Sequence, residues 1–138
     1  MTQVLGAAPA DAVEEYDEVS RVVQLFLDGE AQGDAARLRE AAHPDARMFG
    51  SVAGTRYDMA IAEFIELAVQ EPGDTGNHRA RILSVLQTGD AAIAQVAEEG
   101  YWGSLSFIDH FQLARIEGTW KVVSKLFAHT GGEVPASS

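Results

Sequence analysis

The sequence predicts an α+β fold, in which helices from the first half of the chain cover one face of an antiparallel sheet formed by the second half. Three observations lead to this prediction. Apolar residues recur at helical spacing in three segments up to residue 70. Two pairs of β-rich segments with short glycine-containing turns follow over residues 79–129. Helices gathered ahead of an antiparallel sheet are typical of layered α+β domains.

The first helix is predicted from Val13 to about Ala31. Asp11 and Glu14 have the spacing of an acidic capping box at its start. One face carries the apolar residues expected of a helix that packs on a core, namely Val13, Tyr16, Val19, Val23 and Phe26. A short second helix is predicted after Asp34, which can cap it.

A short strand is predicted over residues 46–51, followed by an extended pair at 56–57. Asp58 is predicted to cap a third helix that extends to about Gln70. The loop that follows, through His78, is polar and contains glycine, so we expect a mobile rim there.

The first hairpin is predicted from residues 79–88 and 91–99, with its turn at Gly89-Asp90. Both of its faces carry apolar pairs, so both should be covered, one by the helices, and a second subunit is a candidate for the other. Arg81 falls opposite Glu98 in this register, which predicts a cross-strand ion pair.

The last hairpin is predicted to turn at Glu117-Gly118. Side chains alternate along a strand, so one face should carry Phe107, Asp109, Phe111, Leu113, Trp120, Val122, Ser124 and Leu126. The opposite face should carry His110 and Lys125 and be partly solvated. Asp109 is thus a lone carboxylate on an apolar face. Such a group must find donors, become protonated or face a wet cavity, because burying an unpaired charge is costly.

Composition excludes several classes of function. The chain has 21 Asp and Glu against 10 Lys and Arg, a net charge of −11, so neither nucleic acid nor an anionic membrane surface is an expected partner. The absence of cysteine excludes disulfides, thiol nucleophiles and thiolate metal sites. Glycine-rich phosphate loops and close histidine pairs are also missing, so no cofactor and no metal is expected.

A single domain is expected over residues 13–129, between a flexible N-terminus at 1–12 and a flexible tail at 130–138. The first residues lack the basic start and apolar run of a secretion signal, and no apolar run is long enough to cross a bilayer. We therefore expect a cytoplasmic protein.

Three segments resemble the nuclear-transport-factor-two-like superfamily: Gly33-Asp34, the run from His43 to Gly50, and the run from Gly118 to Val123. Within it, the chain is most similar to SnoaL-like and "putative lumazine-binding" bacterial proteins, over about residues 13–129. The resemblance implies a cone-shaped curved antiparallel sheet wrapped around three N-terminal helices, a cystatin-like α+β roll. It also implies a conical hydrophobic pocket and a homodimer formed through the outer sheet face. This fold hosts isomerases, dehydratases, cyclases and non-catalytic modules, so it does not choose among functions.

Two residues used by ketosteroid isomerases of this superfamily are missing. Phe26 stands where their helical tyrosine donates to the oxyanion, and Gly50 stands where their proton-shuttling aspartate lies. These differences argue against steroid isomerase chemistry. Polyketide cyclases of the superfamily use an acid on a late strand, and Asp109 is similar in placement.

Asp109 is accordingly the candidate proton-transfer group, with Tyr101 and His43 as candidate donors. Each has a structural alternative: an ion pair or helix contact for Asp109, a core position for Tyr101, and a helix C-terminal cap for His43. Ligand contacts are predicted from aromatic and apolar side chains that could equally be core, namely Tyr16, Met48, Tyr57, Phe64, Trp102 and Phe111.

The leading hypothesis is a homodimer whose pocket binds a small apolar or aromatic ligand. If it is an enzyme, cofactor-free acid/base isomerisation, cyclisation or dehydration is favoured. The alternatives are a non-catalytic binding module and a pocket filled by side chains, which would leave only dimerisation. Two or more ionisable groups around the cavity would favour catalysis, whereas an apolar cavity with one satisfied acid would favour binding.

Overall fold

The computed structural model describes residues 12–134, and this part of the chain contains three helices and six strands. The elements in chain order are α1 Ala12–Gln32, α2 Ala35–Ala41, β1 Ala42–Val52, β2 Thr55–Ala60, α3 Ile61–Gln70, β3 Asp74–Thr88, β4 Ala91–Tyr101, β5 Leu105–Ile116 and β6 Thr119–Gly131. All strands belong to one sheet with the order β2-β1-β6-β5-β4-β3. Neighbouring strands are antiparallel except β1 and β6, which are parallel.

The core lies between the helices and the inner face of this curved, unclosed sheet. The buried stripe of α1 includes Val19, Val23 and Phe26, and it meets inward side chains of the central strands such as Phe111 and Val122. Each side chain of this size contributes about 1.5–3 kcal/mol when it is removed from water. The predicted α+β fold is confirmed.

The start of α3 differs from the prediction. Asp58 lies in β2, where its carboxylate pairs with Arg47 at 2.6 Å, and α3 begins only at Ile61. The backbone N–H of Ala60 is satisfied by Glu63, whose Oε1 accepts it at 3.1 Å. The prediction that Asp58 caps this helix was wrong, because pairing of residues 55–60 with β1 continues the strand past the local capping signal.

The predicted mobile rim is also corrected. Residues 74–78 are the first part of β3, and Asp74 lies opposite Tyr101 of β4. The Asp74 carboxylate accepts the backbone N–H groups of Gly76 at 2.8 Å and His78 at 3.3 Å. These bonds hold the segment in place despite its polar composition.

A β-bulge changes the register of the last hairpin. The predicted pairing holds from the turn to Leu113 opposite Val122, but the next pair is Gln112 with Ser124, so Val123 is an extra residue on β6. Beyond it, Lys125 and Phe127 point inwards and Leu126 points outwards, the reverse of the prediction. A one-residue shift has this effect because side chains alternate with a period of two.

A second bulge lies in the first hairpin. Ile82 pairs with Val96 and Ser84 with Gln95, which leaves Leu83 as the extra residue on β3. Arg81 consequently lies opposite Ala97, and the predicted Arg81–Glu98 ion pair does not form. Glu98 faces the interior instead, and Arg79 pairs with the exposed Glu99 at 2.6 Å.

The predicted flexible ends fall largely outside the structure. Residues 1–11 and 135–138 are not among those described. Of the remainder, Ala12 begins α1, Thr130 and Gly131 end β6, and residues 132–134 have no regular secondary structure. Within residues 12–134, no helix is long and apolar enough to cross a membrane.

Candidate active site

A cavity of about 40 Å³ lies between the inner face of the sheet and α3. Its lining comes from β1, β2, α3, β4, β5, β6 and the turn after β4: Val52, Tyr57, Met59, Phe64, Leu67, Glu98, Tyr101, Trp102, Phe107, Asp109, Lys125 and Phe127. Most of these side chains are apolar. A space of this size holds a few water molecules or a small fragment, whereas pockets for drug-sized ligands measure roughly 300–1,000 Å³.

The cavity runs from a partly exposed end to a buried, charged end. Tyr57, Met59, Leu67 and Trp102 are half-buried and lie at the outer end. Glu98, Asp109 and Lys125 line the inner end and are at most 4% exposed.

Lys125 is the centre of the charged end. Its Nζ lies 2.6 Å from Oε1 of Glu30 on α1 and 3.8 Å from Oε2 of Glu98 on β4. The other oxygen of Glu98, Oε1, lies 2.8 Å from Nε2 of His78, which is itself almost buried. These residues therefore form a chain of polar groups from β3 through the cavity floor to the first helix.

Four phenylalanine rings surround the same ammonium group. Lys125 Nζ lies 5.2–5.7 Å from the ring centroids of Phe26, Phe64, Phe111 and Phe127. The negative faces of aromatic rings attract a cation at such distances, most strongly where water is excluded. The rings and Glu30 together fix the position of the nitrogen.

Asp109 is fully buried on β5 between Val96 and Phe127 of the neighbouring strands. Among residues 12–134, neither of its carboxyl oxygens has a hydrogen-bond partner. Burial raises the pKa of Asp109 well above its usual value; Lys125 opposes this shift and the nearby Glu98 adds to it. Burial thus favours the neutral, proton-donating form of this carboxyl group.

The neighbouring groups are perturbed in related ways. Burial raises the pKa of Glu30, although Lys125 opposes the shift. Burial also disfavours the ammonium of Lys125, but Asp109, Glu30 and Glu98 outweigh it and raise the pKa of this lysine well above its usual value. These shifts therefore favour the ammonium form of Lys125 and the protonated forms of Asp109 and Glu30.

Tyr101 supplies a further proton donor. Burial, with a smaller effect of Glu30, raises the pKa of its hydroxyl well above 10.0, so the group remains protonated. Its ring is fixed by contacts with His78, Trp102 and Phe107, at centroid separations of 5.2–5.7 Å.

The three acids have the donor type that hard cations prefer. Glu30, Glu98 and Asp109 each offer an oxygen, and these oxygens lie within 4.8 Å of one another. The Lys125 ammonium already lies against two of these acids and repels a second cation. The arrangement consequently suits proton transfer better than metal binding.

The structure brings some of the predicted site residues together and separates others. Asp109, Tyr101, Tyr57, Phe64 and Trp102 all line the cavity. Phe111 lies behind the cavity wall, where it contacts Phe26 and Lys125.

Three predicted residues lie away from the cavity. Met48 is fully buried in the core and does not reach the lining, and Tyr16 is 49% exposed on α1. His43 borders a surface groove between α2 and α3, where its Nδ1 accepts the backbone N–H of Asp45 at 3.0 Å. As placed here, none of the three can contact a molecule in the cavity.

The charged residues at the cavity floor were missed or misplaced by sequence reasoning. The sequence predicts Lys125 on the outer face and Glu98 in a cross-strand ion pair with Arg81. The bulge at Val123 turns Lys125 inwards, and the bulge at Leu83 removes Arg81 from its predicted place opposite Glu98. The sequence does indicate that Glu30 faces the core, because it follows Phe26 by four residues on the apolar stripe of α1.

The steroid isomerase positions show why that chemistry does not fit. Phe26 packs edge-on against Phe111 at 5.2 Å and presents no donor. A Cβ on Gly50 would come within 2.3 Å of the carbonyl oxygen of Phe127, so no aspartate can stand there without movement of β6.

Comparisons with known proteins agree with this architecture. The family model described as "Putative lumazine-binding" matches residues 14–128. Aldolase FrzH from Cladobotryum sp is 26% identical over 113 residues, which are 82% of this chain and 90% of that protein. An NTF2-like protein of unknown function from Methylobacillus flagellatus KT is 25% identical, covers 91% of this chain and 99% of its own, and has a TM-score of 0.79. A similar protein of unknown function from Silicibacter pomeroyi DSS-3 is 22% identical, with coverage of 86% and 98% and a TM-score of 0.78.

Proposed function

Because the chain belongs to the "Putative lumazine-binding" family of NTF2-like proteins, we propose that it is a small-molecule enzyme that moves protons on a carbonyl compound by cofactor-free acid/base chemistry. One observation carries the proposal: Asp109 is buried without a hydrogen-bond partner among residues 12–134, and it faces the same cavity as Glu98, Lys125 and Tyr101. Several ionisable groups around one small space favour catalysis over passive binding.

The roles follow from charge. Neutral Asp109 donates a proton to the carbonyl oxygen of the substrate. The Glu98 carboxylate, positioned by His78, accepts a proton from the adjacent carbon. The positive charge of Lys125 and the Tyr101 hydroxyl stabilise the negative charge that develops on the oxygen. Isomerisation, cyclisation, dehydration and aldol reactions share this enol-forming step, and the similarity to a protein named an aldolase supports the aldol type.

The substrate class follows from the lining. Only the inner end offers charged groups, while Phe64, Phe107 and Phe127 form apolar walls. The carbonyl group therefore occupies the inner end, and the remainder of a small, mostly apolar molecule lies among Tyr57, Met59 and Trp102.

The test is exchange of the hydrogens next to a carbonyl for deuterium, followed by proton NMR in D₂O with a panel of small aldehydes and ketones. Asp109→Asn should slow enzyme-dependent exchange by about 10²–10⁴-fold, the usual contribution of a positioned acid or base. His110→Asn is the matched control, because this neighbour on β5 is exposed and points away from the cavity. Equal rates for Asp109→Asn and the unchanged protein would refute the assignment.

A non-catalytic binding module is the second candidate, and the mostly apolar lining of the cavity favours it. In that case, small apolar ligands would raise the melting temperature, and no compound in the panel would exchange faster than in buffer alone.

We also propose a homodimer formed through the outer sheet face. Large apolar side chains are 42–64% exposed on four strands: Phe49, Leu83, Leu86, Ile93 and Leu126. Leu86 and Ile93 are cross-strand partners, which makes this part of the surface continuous. Exposed apolar patches of this kind mark interaction surfaces.

A further inference from the structure

We propose that Lys125 forms a Schiff base with a small aldehyde or ketone, so that the protein is an amine-dependent aldol-type catalyst. This inference rests on the proposed function above and assigns it a covalent intermediate. Lysine amines are established nucleophiles toward carbonyl compounds. Because the acids around Lys125 raise its pKa, the free amine forms here only when a neighbouring base takes the ammonium proton.

The position of Lys125 supports this role. The chain has two lysines, and only Lys125 lines the cavity. Lys121 lies outside the cavity, where its Nζ donates to the backbone carbonyl of Glu40. Four aromatic rings and Glu30 hold the Lys125 nitrogen, so it does not lose orientational freedom when it reacts.

A purely structural lysine does not account for the polar atoms around it. Pairing with Glu30 needs one carboxyl group, yet Glu98 and Asp109 also lie buried at the cavity beside this lysine. A protonated carboxyl group can donate to its neighbour or to a ligand oxygen. Two further acids at the cavity can therefore give and take the protons that a carbonyl substrate needs.

Lys125, Glu98 and Asp109 can carry out the condensation, and each proton that moves has a donor and an acceptor among them and the substrate. The Lys125 ammonium first passes a proton to Glu98, whose Oε2 lies 3.8 Å away. The free amine then attacks the carbonyl carbon, the C–N bond forms, and the carbonyl π electrons move to oxygen, which takes the proton of Asp109. Asp109 recovers a proton from the new N–H₂⁺ group.

Loss of water completes the step. The hydroxyl group takes the proton held by Glu98 and leaves as water, while the nitrogen lone pair forms the C=N bond. The net change is ammonium plus carbonyl compound to protonated imine plus water, with both carboxyl groups returned to their starting states. The imine nitrogen then accepts electrons when Glu98 removes a proton from the neighbouring carbon, and the resulting enamine can attack a second carbonyl compound.

Reductive trapping tests this inference without any turnover assay. The full chain is incubated with propanal and sodium cyanoborohydride, which reduces imines, and the modified residues are located by peptide mass spectrometry. Lys121 and the α-amino group are the internal references. We expect Lys125 to gain the propyl group faster than Lys121 by about tenfold or more, because its amine is positioned at the cavity. Labelling of Lys121 and the α-amino group with none on Lys125, or equal rates at both lysines, would overturn the inference.

Variants sharpen the result. Lys125→Arg keeps a positive charge beside Glu30 but cannot form an imine, so cavity labelling should be lost, whereas Lys121→Arg should leave it unchanged. If circular dichroism shows that Lys125→Arg does not fold, mapping of the labelled residues on the unchanged chain still tests whether Lys125 forms the imine. If deuterium exchange depends on Asp109 but Lys125 is not labelled, only the covalent step is refuted. If Lys125 is labelled but Asp109→Asn leaves the rate of deuterium exchange unchanged, only the acid role of Asp109 is refuted.

Discussion

Replacement of Asp109 by asparagine should stabilise the protein increasingly as the pH rises. Asparagine is close in shape to the neutral carboxylic acid that the buried site favours, and it cannot ionise. Burial raises the pKa of Asp109 in the folded chain above that in the unfolded chain. The folded state of the original protein therefore keeps a proton that the unfolded state releases above about pH 4.

The sign and size of the effect follow from proton linkage. A carboxyl group with a raised folded pKa contributes its stability below the unfolded pKa and loses it as the pH rises toward the folded pKa. The loss is about 1.4 kcal/mol per pH unit in that window. Between pH 5 and pH 7, the free energy of unfolding of Asp109→Asn should thus rise relative to the original protein, by up to about 3 kcal/mol where the folded carboxyl group keeps its proton throughout.

Urea unfolding at pH 5, 6 and 7, followed by circular dichroism, measures this difference. Asp45→Asn is the matched control, since its side chain is 93% exposed and should give no pH-dependent difference. A constant difference between Asp109→Asn and the original protein across this range would show that Asp109 ionises normally in the folded state, and the reasoning about its burial would fail.

Two further predictions concern the lysine and the outer face. Lys125→Met should destabilise the fold by about 3–5 kcal/mol at pH 7, because Glu30 loses its buried partner, while Glu30→Gln combined with Lys125→Met should recover most of that loss in urea unfolding. The penalty of the single variant should shrink toward pH 5, since Glu30 can then take up a proton. Leu86→Glu should convert the proposed dimer to a monomer in light-scattering chromatography, because it places a charge on the exposed apolar surface, opposite Ile93.

Each of these predictions has a contrary result. A single Lys125→Met variant as stable as the double variant would mean that Glu30 does not depend on the lysine. A monomeric original protein, or a Leu86→Glu variant that remains dimeric, would exclude the outer face around Leu86 as the contact surface. Gln70→Glu, a substitution at an exposed residue of α3 on the helical side of the sheet, serves as the control for added charge.

Local patterns along the chain were enough to locate most helices and strands and much of their order. Helical spacing located α1 and α2, and glycine-containing turns located both hairpins, because these signals act between residues close in the chain. Alternation from the turn at Glu117-Gly118 also placed Asp109 on the inner face. Along β5 that count meets no extra residue, so the position of this acid was correct.

The charged groups that lie beside Asp109 could not be identified without the three-dimensional packing of the chain. The bulges at Val123 and Leu83 arise from how the strands pair within a curved sheet, and no local residue pattern fixed them in advance. The bulge at Val123 reverses the side chains beyond it on β6 and turns Lys125 inwards, whereas the bulge at Leu83 shifts β3 and leaves Ala80, not Arg81, opposite Glu98. Glu30 joins them from α1 across 95 residues of chain. The four charged residues come from four separate elements, α1, β4, β5 and β6. Their contacts depend on tertiary packing, which the spacing of residues in the sequence does not encode.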